Sequence, residues 1–128
     1  MKIDVLRARV RRNKLEKLAG ESYRDEKSQL IKSLHNEDKK ALLGIQKGDG
    51  IYTVLGEECV YYSSNSGIER KISYGRFTEI LRSNALKTGK TTEFEFLNIT
   101  EQDCIWILNT RTMNAIWNTV LLLQKWKE

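Results

Sequence analysis

The residues best equipped for chemistry in this chain are its arginines. Arg7, Arg9, Arg11 and Arg12 fall within six consecutive positions, Lys14 and Lys17 follow, and only Asp4 and Glu16 stand among them with opposite charge. A guanidinium presents a planar fork of donors that matches phosphate and carboxylate oxygens, whereas solubility alone is served as well by lysine. The cluster points to DNA or RNA phosphates, free or in a nucleoprotein complex, or to an acidic protein surface. The opposing reading is a solvated surface, the commonest fate of a charged run. The charge is local: residues 1–48 carry 13 Lys or Arg against 7 Asp or Glu, while residues 49–128 carry 9 against 10. The formal net charge of +5 therefore arises entirely before residue 49.

Other chemistries find less support. Asn84 to Thr91 ends in Thr-Gly-Lys-Thr, close to a phosphate-binding loop, but the first glycine is missing. Its context is also reversed, because such a loop follows a strand and opens a helix. His35 is the only histidine, which excludes a histidine-rich metal site and leaves one candidate base for a Ser or Cys nucleophile. The carboxylate pairs Glu57/Glu58, Glu93/Glu95 and Glu101/Asp103 could divide acid and base roles, yet each fits a turn, a solvated strand face or a helix start. Cys59 and Cys104 stand alone, without zinc-ligand spacing or a disulfide framework, and are expected to be buried. Tyr52, Tyr61, Tyr62 and Tyr74 could form a base-stacking face, but their surroundings are acidic or neutral, so packing is favoured. No catalytic residue, metal or cofactor is assigned.

The elements that must position the arginines are read from periodicity. Residues 3–19 read as a helix closed by Gly20, with a strand from Val5 to Val10 as the alternative. Its apolar residues split: Ile3, Leu6 and Val10 share one side, and Val5, Ala8, Leu15 and Ala19 lie nearly opposite. Such a helix buries little by itself. Ser22, with Asp25 three residues on, is expected to cap a helix bearing Tyr23, Leu30, Leu34, Ala41 and Ile45 on one face. Asn36-Glu37-Asp38 is an alternative start, so residues 22–47 are one helix or two, ended by Gly48-Asp49-Gly50.

From Ile51 the period changes to two. Ile51 to Leu55 and Glu58 to Ser63 read as strands joined at Gly56-Glu57 in a type II′ turn, and Asn65-Ser66-Gly67 turns into a third strand, Ile68 to Ile72. Ser73 is expected to cap a helix carrying Tyr74, Phe77, Ile80 and Leu81. Thr92 to Ile99 alternates as a strand with Phe94 and Phe96 inward. Cys104 to Leu108 reads as a strand or, with Thr100 as cap, a helix. Thr112 is expected to cap an apolar C-terminal helix with Met113, Ile116, Trp117, Val120, Leu123 and Trp126.

The fold class expected is α+β: a basic N-terminal helical hairpin or arm (1–48), then a mostly antiparallel sheet of about five strands (49–128) packed by a middle and a C-terminal helix, in one domain. The longest apolar run is Val120 to Leu123, too short for a membrane span, and Lys2 and Asp4 stand where a signal peptide would be apolar. A cytoplasmic location without membrane contact follows as an expectation. The absence of proline and the abundance of Ile, Lys and Asn suggest a low-GC bacterium or its phage. The functional expectation is a small non-catalytic regulatory or inhibitory protein that contacts nucleic acid or a nucleoprotein complex through Arg7, Arg9, Arg11, Arg12, Lys14 and Lys17. The alternative is an interaction module of immunity or anti-defence type that binds an acidic protein; a small nucleotide-processing enzyme is a remote third. A homodimer is compatible with the apolar C-terminal helix.

Overall fold

The computed structural model describes residues 3–63, 68–88, 95–100 and 103–127. The chain is α+β. It opens with α1 (Ile3–Asn13) and α2 (Leu15–Ala19), then a 3-10 turn (Gly20–Ser22) and a two-residue strand β1 (Tyr23–Arg24). There follow α3 (Gln29–Asn36), β2 (Ala41–Gln46), β3 (Tyr52–Gly56), β4 (Cys59–Ser63), β5 (Glu69–Ser73), α4 (Tyr74–Thr88), β6 (Phe96–Thr100), β7 (Asp103–Trp106) and α5 (Thr110–Lys127). Strands β1 to β5 form one antiparallel sheet in chain order, and β6 and β7 form a separate hairpin.

The pleat sorts the sheet into two faces. Leu43, Leu55, Val60 and Ile72 lie side by side on one, with Ile45, Thr53 and Tyr62 in the next row. This face meets the β6–β7 hairpin and α4, and the core beyond it is filled by α5, which in turn supports α1 and α2. The opposite face carries Val54 and Tyr52 and is covered by Ile31 and Leu34 of α3. α5 is buried almost all round through Lys125: among its described side chains, Arg111, Asn114, Asn118, Leu121 and Lys125 are the exposed ones, at alternating spacings of three and four. Most of its described apolar side chains are thus covered within the molecule, with Leu121 exposed. Among the described residues no helix is long and apolar enough to cross a membrane.

Several local expectations are corrected. Residues 3–19 are two helices, broken at Lys14, which adopts a left-handed conformation (φ 60, ψ 29). The break reconciles the divided apolar pattern, because the turn redirects Leu15 and Ala19 so that they join Leu6 and Val10 in the core. Left-handed backbone at a non-glycine residue costs about 1 kcal/mol, less than the roughly 2 kcal/mol gained by burying a leucine such as Leu15. Residues 22–47 hold one short helix, α3, rather than one long helix or two shorter ones. Ser28, not Ser22, caps it by accepting from the Ile31 amide. Asn36 ends α3 instead of starting a helix, and Tyr23, Ala41 and Ile45 belong to strands. Gly48-Asp49-Gly50 lies in the β2–β3 hairpin, closed by the Lys47 amide on the Ile51 carbonyl.

The β3–β4 turn falls at Glu57–Glu58, one residue later than expected, and Gly56 is the last residue of β3. Gly56 has no positive φ; its lack of a side chain serves close packing, since a Cβ there would lie 2.6 Å from the Tyr61 ring. Ser73 caps α4 as expected, its hydroxyl accepting from the Arg76 amide. α5 is instead capped by Asn109, whose side chain accepts from the Thr112 amide, while Thr112 is buried inside the helix. The strand alternative holds for residues 103–106. Asn65-Ser66-Gly67, Phe94 and the start of the Thr92 strand lie outside the described residues, as does the side chain of Trp126.

Candidate polyanion-binding surface

The basic cluster is carried on a fixed support. Leu6 and Val10 of α1 and Leu15 and Ala19 of α2 are buried, and both helices pack on α5. At about 100° per residue, the line through Leu6 and Val10 defines the inward direction. Arg11 and Arg12 then lie within about 60° of the outward pole, and Arg7 and Arg9 lie near about 100° on opposite flanks. Lys14 projects at the helix break and Lys17 from α2, both exposed. The four arginines do not share one face: Arg11 and Arg12 straddle the outward pole about 100° apart, and Lys14 and Lys17 follow at and beyond the break, so the basic ridge is these four exposed positions in chain order.

Ion pairing separates them further. Arg7 Nη2 donates to Glu26 Oε1 at 2.7 Å, tying α1 to the loop before α3. Arg9, Arg11, Arg12, Lys14 and Lys17 form no ion pair among the described residues. Part of this arrangement has a structural cause, since Arg11 and Arg12 occupy the last turn of α1, where free carbonyls favour positive charge. That cause does not extend to Lys17, which lies beyond the break.

Beside the ridge, a cavity of about 380 Å3 separates α1 from the sheet edge, with Leu6, Val10 and Leu43 as apolar lining. Tyr23 also lines it, and its phenol is raised from its usual 10.0 to about 12 by burial first, then by the negative charges of Glu16, Asp25 and Glu26, against a smaller opposing effect of Arg7. His35, exposed at the end of α3, places Nε2 2.7 Å from the Ala41 carbonyl oxygen, so this nitrogen carries the proton.

The remaining sequence candidates fall elsewhere. Tyr52, Tyr62 and Tyr74 are buried, and their hydroxyls donate to Glu69, Asp103 and the Gly56 carbonyl respectively. Tyr61 lies on the opposite face from Tyr62 and is half-buried. These rings are not a base-stacking platform. Asn84 to Thr88 are helical, and the Gly-Lys-Thr that follows lies outside the described residues. Glu95 accepts from the Trp106 indole at 2.8 Å, and Asp103 takes the Tyr62 hydroxyl beside Arg70. Glu93 and Glu101 are outside the described residues. Cys59 and Cys104 are half-buried rather than buried, and no group of three or more metal-ligating side chains occurs among the described residues.

Sequence reasoning missed the cavity beside α1. Its residues Ala41 to Leu43 read as helix, and the two-residue strand β1 that leaves the edge open carries no periodic signal. No family model matches this chain, and neither a curated protein nor a solved structure matches it.

Proposed function

We propose that this chain is a small non-catalytic binding protein, of regulatory or inhibitory kind, that holds nucleic acid or a nucleoprotein complex on the ridge formed by Arg11, Arg12, Lys14 and Lys17. One observation carries the reading: four exposed cations without ion pairs among the described residues are mounted on two helices whose opposite sides are anchored in the core. Cations whose backbone is already held by the core lose only side-chain freedom on meeting phosphates, and each phosphate neutralised releases counterions. Arg9 and Arg7 flank the row. Arg7 contributes less because Glu26 already occupies it.

Purified protein is expected to retard duplex DNA or structured RNA in a gel at low salt, and Arg11→Ala with Arg12→Ala is expected to weaken the shift and make it less sensitive to salt. A shift of undiminished strength and salt sensitivity in the double variant refutes the ridge as the contact. If an acidic protein is the target instead, a nuclease-treated extract still yields a stoichiometric partner, and that partner is lost with the same two changes.

A further inference from the structure

The two sides of the basic ridge differ in what borders them. Arg7 and Arg11 line the cavity beside the sheet edge together with Glu16, Asp25 and Glu26, so a polyanion approaching from there meets carboxylates. Arg9 lies on the other flank of α1, and Arg12 leans toward it. Arg9 is half-buried, as a long side chain lying along a neighbouring helix is, and α5 is the helix on which α1 and α2 pack. From Thr110 to Lys127, α5 contains no Asp or Glu.

The exposed line of α5 carries an uncommon choice of residues. Arg111 and Lys125 stand toward its ends, and Asn114 and Asn118 occupy its middle. Asparagine is a poorer helix former than alanine, glutamate or lysine, because its amide competes for backbone groups in other conformations. Within a helix that cost is offset where the amide gains a hydrogen bond. Neither Asn114 nor Asn118 makes one among the described residues, and the cap of α5 is Asn109. Four positions apart, the two lie on one face, about 6 Å from each other along the axis. Each presents two N–H donors without carrying charge.

We propose that Asn114 and Asn118 form a second contact row, and that the protein holds double-stranded DNA with the phosphates of one strand on the ridge and those of the other on this row. The inference rests on the ridge reading given above and narrows it from nucleic acid in general to a duplex. Packed helices run about 8–10 Å apart, a separation between the widths of the two DNA grooves, about 6 and 12 Å. Side-chain amides are ordinary donors to phosphate oxygens. Being neutral, they displace no counterions, so this row adds affinity that salt does not remove.

The test uses the full chain, a labelled DNA duplex of about two helical turns and one of its single strands. Asn114→Ala with Asn118→Ala is expected to weaken duplex binding by at least about fivefold at every salt concentration, through two lost hydrogen bonds, while the slope of log K against log salt stays the same. Binding of the single strand, which reaches the ridge alone, should stay within about twofold. Alanine is the better helix former, so this variant should unfold at no lower a urea concentration than the parent, which separates the loss from a folding defect. In the unaltered chain, the side-chain NH2 signals of Asn114 and Asn118 should move during the duplex titration with the same Kd as the backbone amides of Arg11 and Arg12. If the duplex binds with the salt dependence of the ridge but the asparagine variant binds it equally well, or if duplex and single strand bind alike, this proposal fails and the ridge stands. If the unaltered protein binds no duplex, or if Arg11→Ala with Arg12→Ala changes neither affinity nor slope, the ridge reading fails and this proposal fails with it. Asparagine signals that move with a glutamate octapeptide and not with the duplex assign the face to an acidic protein and likewise overturn the proposal.

Discussion

If four cations of the ridge each meet a phosphate, affinity for duplex DNA has a calculable salt dependence. The slope of log K against log salt is about −0.9 for each phosphate neutralised, so Arg11, Arg12, Lys14 and Lys17 give about −3.6. Between about 50 and 200 mM salt this amounts to a loss of about 150-fold. Replacing Arg11 and Arg12 with Ala halves the slope to about −1.8, and the same salt interval then costs only about 12-fold. Arg7 supplies an internal control. It is held by Glu26 at 2.7 Å, so Glu26→Gln releases it and should steepen the slope by about 0.9. Fluorescence anisotropy of a labelled duplex, titrated at several salt concentrations, reads all three slopes. A slope in the unaltered protein shallower than about −1.8, or one that the double variant leaves unchanged, would falsify the four-cation contact.

Three further expectations concern the scaffold. A Cβ on Gly44 would collide with the Thr53 carbonyl oxygen and stand 2.6 Å from the Val54 Cα, so Gly44→Ala should lower stability by about 1–3 kcal/mol in urea unfolding; Gly48→Ala, with open space around it, should stay within about 0.5 kcal/mol of the parent. Burial and then the hydrogen bond to Asp103 raise the Tyr62 phenol to about 12, and burial with nearby carboxylates raises Tyr23 equally. The unfolded chain therefore loses these protons first: their contribution to stability is intact below about pH 10 and disappears as pH climbs through about 12. Tyrosinate absorbance and urea midpoints should track together over that window, and a midpoint that does not fall there contradicts the assignment. The Arg7–Glu26 pair is more than half exposed on both sides, so a double-mutant cycle should return no more than about 1 kcal/mol of coupling.

The sheet was legible where period two is continuous. β3 and β4 are rich in β-branched and aromatic residues, and Ser73 announced α4 by the ordinary chemistry of a cap. β2 was not legible for the opposite reason. Ala41-Leu42-Leu43-Gly44-Ile45 has one β-branched residue, and Ala41 and Ile45 extend the helical spacing of Leu30 and Leu34. Its strand state comes from pairing with β3 and from Gly44, whose missing side chain lets the β3 backbone approach. The basic residues were legible as a charge cluster but not as a surface. Their division into a ridge and a neutralised flank depends on the left-handed turn at Lys14 and on an acid 19 positions away from Arg7. Neither leaves a local trace.

The contact of α1 and α2 with α5 also governs when the basic surface comes into being. α1 and α2 rest on α5, so a ribosome must pass Lys127 before that seat exists. Until then the arginines belong to a segment whose own apolar pattern is divided and whose short helices are marginal in isolation. A cationic surface seated on α5 is therefore a property of the folded chain. During synthesis, when ribosomal RNA is the nearest polyanion, the same side chains are not yet arrayed to hold it.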